Sequence, residues 1–179
     1  MAEIHGGTMK KLTEFIRDVP DFPKVGIVFK DITPLLRDAG AYRRATQKLE
    51  ELVRPMNADL ILAIESRGFL FGGALSLSLD KGLIIARKPG KLPYHTDSLS
   101  YDLEYGSNTL ELHTDAVDQG QRVLIVDDLL ATGGTAAACG ELVRRQGGQV
   151  AGYAFVVELA FLEGRKKLIP DPVASIMVY

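Results

Sequence analysis

The run Val123–Val126 is apolar at every position and ends in two adjacent carboxylates, Asp127 and Asp128. Such a run serves both faces of a strand, which suits a central parallel strand covered by helices on either side. The chain then enters the turn Thr132-Gly133-Gly134-Thr135, and a helical pattern runs from Ala136 through Arg145. Glycines let a backbone approach an anion closely, and successive N–H groups can form a concave nest. Thr135 can cap the helix, whose orphan N–H groups and positive dipole end favour a phosphate. The unit therefore predicts a phosphate site at the carboxyl edge of an α/β sheet, where such sheets bind ligands. Two acids beside the nest would repel phosphate, so they fit as acceptors for sugar hydroxyls. A Gly-rich turn with two exposed acids is the plainer alternative, but strand, acid pair, hydroxyl-flanked glycines and helix occur here in order. No Gly-Lys-Ser/Thr follows the glycines and Gly-x-Gly-x-x-Gly is absent, which excludes the Walker loop and the dinucleotide fingerprint.

The rest of the chain alternates in the same manner. Leu60–Ile64 reads as a strand, Phe69–Leu79 as a helix, Leu83–Arg87 as a strand. Leu110–Leu112 lies in a possible hairpin arm after Tyr101–Tyr105, and Val150–Glu158 and Ala174–Val178 read as strands. This predicts an α/β class: a Rossmann-like, mainly parallel sheet flanked by helices. A length of 179 residues makes a single domain the default. Met9–Val19 has Leu12, Phe15, Ile16 and Val19 at helical spacing and reads as an amphipathic helix ended by Pro20 and Pro23. Ile27–Phe29 is a short extended run, Thr33-Pro34 opens a turn or helix, and Ala41–Val53 is helical up to Pro55. Residues from about 9 to 38 do not fit the alternation and are expected to form a small hood over the sheet's carboxyl edge.

Composition narrows the function classes. A formal net charge of −2 gives no support for nucleic-acid binding but leaves room for a local basic pocket. Cys139 is the single cysteine, so no intrachain disulfide forms; it reads as a buried small hydrophobe in a cytoplasmic protein. No apolar stretch approaches a membrane span, and the first residues lack the apolar core of a signal peptide. Residues 1–8 read as an extension before the first convincing element.

Further candidates follow the other strands. Arg67, in Glu65-Ser66-Arg67-Gly68, sits just past a strand end, where a guanidinium can fork onto phosphate oxygens. Arg87, Lys88 and Lys91 place three cations within five residues at the end of the next strand. Residues 91–106 are polar and Tyr-rich, and read as a flexible active-site loop that carries Glu104 and Tyr105 and could exclude water on closing. Tyr94 and His95 are possible contacts of such a lid, while His5 and His113 receive no role.

The stretch Asp127-Asp128-Leu129-Leu130-Ala131-Thr132-Gly133-Gly134-Thr135 resembles the phosphoribosyl pyrophosphate (PRPP) signature of the type I phosphoribosyltransferases, in the form found in the adenine-specific members. Asp21–Ile32 resembles that family's base-binding hood, Ile64–Phe69 its pyrophosphate loop, Arg87–Pro93 and Tyr101–Gly106 its flexible loop, and Glu158–Leu168 its C-terminal signature. The resemblance covers roughly residues 12 to 178. It implies a magnesium-dependent homodimer that makes AMP and pyrophosphate from adenine and PRPP. By that likeness Val28 and Lys30 offer backbone groups to adenine and Phe29 stacks on it. Arg67, Arg87, Lys88 and Lys91 meet pyrophosphate, with Tyr105 closing over the site. Asp127 and Asp128 hold the ribose hydroxyls, Ala131, Thr132, Gly133, Gly134 and Thr135 cradle the 5′-phosphate, and Glu104 handles the purine proton. Mg²⁺ is expected to ride mainly on PRPP oxygens and water, with no direct protein ligand. Lys30 stands where the family usually has Arg, and Val25 where Pro commonly precedes the glycine. The alternatives are transfer to hypoxanthine, guanine or xanthine, and a PRPP-sensing regulator, which would need a nucleic-acid surface that the sequence lacks.

Overall fold

The computed structural model describes residues 10–102 and 107–179. The chain divides into two compact units, Met1–Ala45 and Thr46–Tyr179. In the first, a 3-10 turn at Leu12–Phe15 leads to strand β1 (Arg17–Pro20), strand β2 (Val28–Asp31) and the short helix α1 (Thr33–Arg37). Helix α2 (Ala39–Val53) runs from this unit into the second.

The amphipathic helix expected over Met9–Val19 is not formed in the described part of that segment. Arg17–Pro20 pairs antiparallel with Val28–Asp31 instead, in the register Val19↔Phe29. Strand pairing overrides the local spacing, and the polar side chains reinforce it: Lys30 Nζ lies 2.7 Å from Asp18 Oδ1. That contact occupies the Lys30 side chain. Phe29 meets Phe22 edge-on, with ring centroids 5.2 Å apart. Pro34 sits in the first turn of α1, where its missing N–H costs nothing.

The second unit holds a five-stranded parallel sheet. Its strands are β3 (Leu60–Ile64), β4 (Gly82–Ala86), β7 (Arg122–Leu130), β8 (Gln149–Glu158) and β9 (Val173–Val178), in the order β4-β3-β7-β8-β9. Helix α3 (Gly68–Leu79) joins β3 to β4, and helix α4 (Gly134–Arg145) joins β7 to β8. Between β4 and β7 the chain makes an antiparallel hairpin, β5 (Thr96–Asp102) with β6 (Ser107–His113).

Alternation sorts the core into two faces. Leu62 and Ile64 of β3, Val123 and Ile125 of β7, and Tyr153 and Phe155 of β8 bury themselves against α4 and against Leu110 and Leu112 of the hairpin. On the other face α3 packs so closely that a Cβ on Gly72 would fall 2.5 Å from the Cβ of Ala63. Each fully buried aliphatic side chain here contributes about 1.5–3 kcal/mol. The layered α/β architecture is therefore the one expected from the strand runs.

Two boundaries differ from expectation in ways that matter for the site. Strand β7 does not end before the acids but continues through Asp127 and Asp128 to Leu130, because β8 pairs with it as far as Leu130↔Glu158. The segment 91–106 is not one long loop: β5 occupies Thr96–Asp102 and pairs residue by residue with β6. Leu103, Glu104, Tyr105 and Gly106 lie outside the described residues, so the roles expected of Glu104 and Tyr105 have no structural description.

Candidate active site

A parallel sheet presents all its carboxyl ends along one edge, and here that edge gathers the chemistry. Glu65 follows β3, Arg87 follows β4, and Asp127 and Asp128 lie near the end of β7. Between them opens a cleft of about 340 Å³. The acid pair, Ser66, Arg67 and Lys88 line it from the sheet, and Tyr101, Asn108 and Thr109 from the hairpin. A smaller hollow of about 70 Å³ lies in the turn Ala131–Gly134, with Phe155 beside it. Asp127 and Thr135 border both spaces, so an anion in the turn and a sugar on the acids would be neighbours.

The turn is built as a nest. Gly133 has φ +79°, a left-handed conformation that disfavours a side chain, and it is the residue that caps α4. Thr135 therefore does not cap the helix as expected. Its hydroxyl oxygen lies 3.0 Å from the Tyr101 hydroxyl, which ties β5 to the first turn of α4. A second helix begins at the same cleft, since Arg67 caps α3 and lines the space. Gly68 permits this approach: a Cβ there would fall 2.7 Å from the Val126 carbonyl and 3.0 Å from Asp127 Oδ1. Two helix N-termini thus favour anions in a chain whose net charge is negative.

The charged side chains are largely paired with one another. Arg67 Nε lies 2.7 Å from Asp128 Oδ2, off the line of a directed hydrogen bond, so the oxygen has an opposite charge but no aligned donor. Arg87 Nε lies 3.2 Å from Glu65 Oε2, and the Lys88 N–H donates to the same oxygen at 3.0 Å. That N–H, with the Arg87 charge behind it, holds the Glu65 carboxyl below the usual range. Among the described residues the Lys88 ammonium forms no ion pair with a carboxylate. Lys91 does not line the cleft; its carbonyl accepts from Arg87 Nη1 at 3.2 Å. The expected pyrophosphate cations are therefore of two kinds. Arg67 and Lys88 border the cleft, while Arg87 is bound to Glu65. Val28, Phe29 and Lys30 belong to the first unit.

The acid pair is electrostatically uncomfortable. Asp127 keeps part of its surface open to the cleft although protein atoms crowd it on nearly every side. Burial pushes its carboxyl well above the usual range, and the Asp128 charge adds to this. Burial also raises Asp128, against the opposing pull of Arg67. A carboxyl raised in the folded state contributes stability at low pH that is lost as pH rises through its folded value. Asp127→Asn is accordingly expected to melt at a higher temperature than the wild type at neutral pH, with the gap closing near pH 4 where unfolded carboxyls are protonated as well. Thermal melts across that range test this, and an equal difference at every pH would contradict it. Such strain is what a site tolerates when a ligand's hydroxyls are to satisfy the buried oxygens.

Sequence reasoning did not assign Glu65, Tyr101, Asn108 or Thr109 to the site. Glu65 could have been found from its place beside Arg67 at a strand end. The other three lie on hairpin strands whose polar composition gives no chemical signal.

Comparison with known proteins agrees with this geometry. Residues 35–171 match the family described as the phosphoribosyl transferase domain. The chain is 55% identical over 168 residues to an adenine phosphoribosyltransferase of Kosmotoga olearia, covering 94% of this chain and 99% of that protein. It is 54% identical over 162 residues to the enzyme of the same name from Rubrobacter xylanophilus, covering 90% and 88%. A crystal structure of adenine phosphoribosyltransferase from Thermoanaerobacter pseudethanolicus superposes with a TM-score of 0.92 at 51% identity, over 94% of this chain and 98% of that one. The Saccharomyces cerevisiae enzyme, solved with an imino-altritol bisphosphate and adenine, gives 0.85 at 41% identity, over 92% and 96%.

Proposed function

The chain belongs to the phosphoribosyltransferase family, and from that premise we propose that it transfers the phosphoribosyl group of PRPP to adenine, releasing AMP and pyrophosphate. The observation that carries this reading is the adjacency of two spaces at the carboxyl edge, a cleft lined by the acid pair and a hollow in the glycine turn, which share Asp127 and Thr135.

Each part of the site then has a task. The N–H groups of Ala131 to Thr135 and the N-terminus of α4 hold the 5′-phosphate. Asp127 and Asp128 accept hydrogen bonds from the ribose hydroxyls and fix the ring. Lys88 and Arg67 face the leaving pyrophosphate, and Arg87 joins them only by giving up its contact with Glu65. A purine ring nitrogen attacks the anomeric carbon as the bond to pyrophosphate breaks. Charge grows on the leaving oxygens, where cations and helix N-termini stabilise it most. Val28 and Lys30 contact adenine through the backbone and Phe29 through its ring. Lys30 in place of the family's usual Arg changes little under this assignment, because its ammonium is already engaged by Asp18. Glu104 takes the proton from the purine, and Tyr105 closes over the pyrophosphate.

Magnesium suits this cleft as a companion of the polyphosphate, with Asp127 and Asp128 placed to meet its water molecules rather than the ion itself. Bound on PRPP oxygens and water, it would neutralise charge on the leaving group. We also propose a homodimer. Leu70 and Leu77 leave an apolar strip exposed along α3, Leu77 at 86%, and a second copy would cover it. Among the described residues no helix is long and apolar enough to cross a membrane. A cytoplasmic enzyme fits this and the single buried Cys139.

Adenine, hypoxanthine, guanine and xanthine, each supplied with PRPP and Mg²⁺, test the base assignment. Adenine is expected to be consumed at least about a hundredfold faster than the others, because a site shaped to hydrogen-bond one base leaves polar groups unpaired with another. Equal or faster consumption of a 6-oxopurine would overturn it.

A further inference from the structure

The phosphate nest has a back wall that none of the assigned site residues supplies. After β8 the chain makes two 3-10 turns, Ala160–Leu162 and Gly164–Leu168. Gly164 is buried, and its backbone lies directly against the nest. A Cβ on Gly164 would collide with the Ala131 carbonyl and fall 2.9 Å from the Gly133 nitrogen. A Cβ on Gly133 would in turn collide with the Gly164 carbonyl. Two glycines therefore stand face to face, one on each side of a backbone-to-backbone contact. The N–H groups that would hold a phosphate are aimed by what stands behind them, and here that is Gly164.

The position of Gly164 is fixed from the next residue. Arg165 forks onto Glu158, with Nε 2.9 Å from Oε1 and Nη2 2.5 Å from Oε2, and its Nη1 donates to the Val173 carbonyl at 2.8 Å. The Ser175 hydroxyl donates to Glu158 Oε2 at 2.6 Å. Glu158 is 5% exposed and ends β8, opposite Leu130 at the end of β7. The Arg165 contact, more than burial opposes it, holds the Glu158 carboxyl below the usual range. Leu168, buried, anchors the far end of the turn. A charge-assisted, bidentate pair of this kind is specific in geometry as well as strong. It links the ends of β7 and β8 to the wall of the nest.

We propose that Gly164 is a positioning residue for the phosphate of PRPP, set in place by the Glu158–Arg165 pair, and that it determines how tightly the nest closes on a phosphate monoester. This rests on the phosphoribosyl reading of the cleft. Its test uses ribose 5-phosphate as the probe, measured by calorimetry, with steady-state kinetics beside it. Gly164→Ala must push the Ala131 carbonyl and the Gly133 N–H out of line. It is expected to weaken ribose 5-phosphate and raise the KM for PRPP about tenfold or more, the scale of one charge-assisted hydrogen bond, with kcat and the KM for adenine within about twofold. Arg165→Lys keeps the charge but loses the fork, and about threefold is expected on the same two quantities. Gly120→Ala is the control: Gly120 has φ +81° with open space around it, so alanine there lowers the melting temperature without changing ribose 5-phosphate affinity.

A folded Gly164→Ala protein that binds ribose 5-phosphate as the wild type does overturns the proposal. So does a loss that falls equally on adenine and PRPP. If Gly164→Ala does not fold, Arg165→Lys decides by the same comparison. Wild-type protein that fails to bind ribose 5-phosphate would instead overturn the phosphoribosyl reading itself, and this inference with it.

Discussion

Glu104→Gln is expected to lower kcat by about a hundredfold or more, the usual contribution of a general acid or base, while AMP binds as tightly as before. Each carboxylate of the described cleft faces a group other than the purine. Glu65 is held by the Lys88 N–H and by Arg87. Asp128 faces Arg67, and Asp127 accepts the Asp128 N–H at 2.8 Å. Under the proposed mechanism the proton acceptor for the purine is Glu104. Glu104 falls in the stretch that joins β5 to β6, and Tyr101 and Asn108 of those strands line the cleft. Glutamine keeps the size and polarity of the side chain but cannot take the proton. A parallel loss of AMP affinity would show that Glu104 only shapes its segment.

Asp128→Ala is expected to act on the other quantity. A hydrogen bond from a sugar hydroxyl to a buried carboxylate is worth about 1.5–3 kcal/mol, so the Kd for AMP should rise about ten- to hundredfold. Arg67 loses its contact with Asp128, but it is 38% exposed and water can take over part of that charge. Binding of dAMP separates ribose contact from general damage. Wild-type protein should prefer AMP to dAMP, and the variant should lose much of that preference. Weakening of both ligands by the same factor would contradict a contact between Asp128 and the 2′-hydroxyl, the one group that dAMP lacks.

The sheet and the glycine turn were both readable from local residue types. Leu60–Ile64 and Val123–Val126 are apolar on both faces, and only a buried parallel strand uses such a run. The Gly-Gly turn needs backbone freedom that other residues lack, so its position is written in the residue types. The strand formed by Arg17–Pro20 was hidden because Leu12, Phe15, Ile16 and Val19 happen to repeat at helical spacing, and only pairing with Val28–Asp31 decides otherwise. The hairpin strand β5 was hidden because Thr96, Asp97, Ser98 and Ser100 are polar, and its signal reduces to Leu99 and Tyr101 on the buried side. Gly164 carries no chemistry of its own. Its role comes from a contact with Gly133 across thirty-one positions of sequence, which no local pattern records. The charge state of the acid pair likewise depends on burial and on Arg67, both set by tertiary structure.

The most direct test of the central claim is to incubate the protein with adenine, PRPP and Mg²⁺ and to follow adenine, AMP and pyrophosphate together. The account predicts that AMP and pyrophosphate appear in equal amounts as adenine disappears, and that omitting PRPP or chelating the magnesium stops all three changes. Pyrophosphate released without AMP, or AMP formed without PRPP, would contradict it.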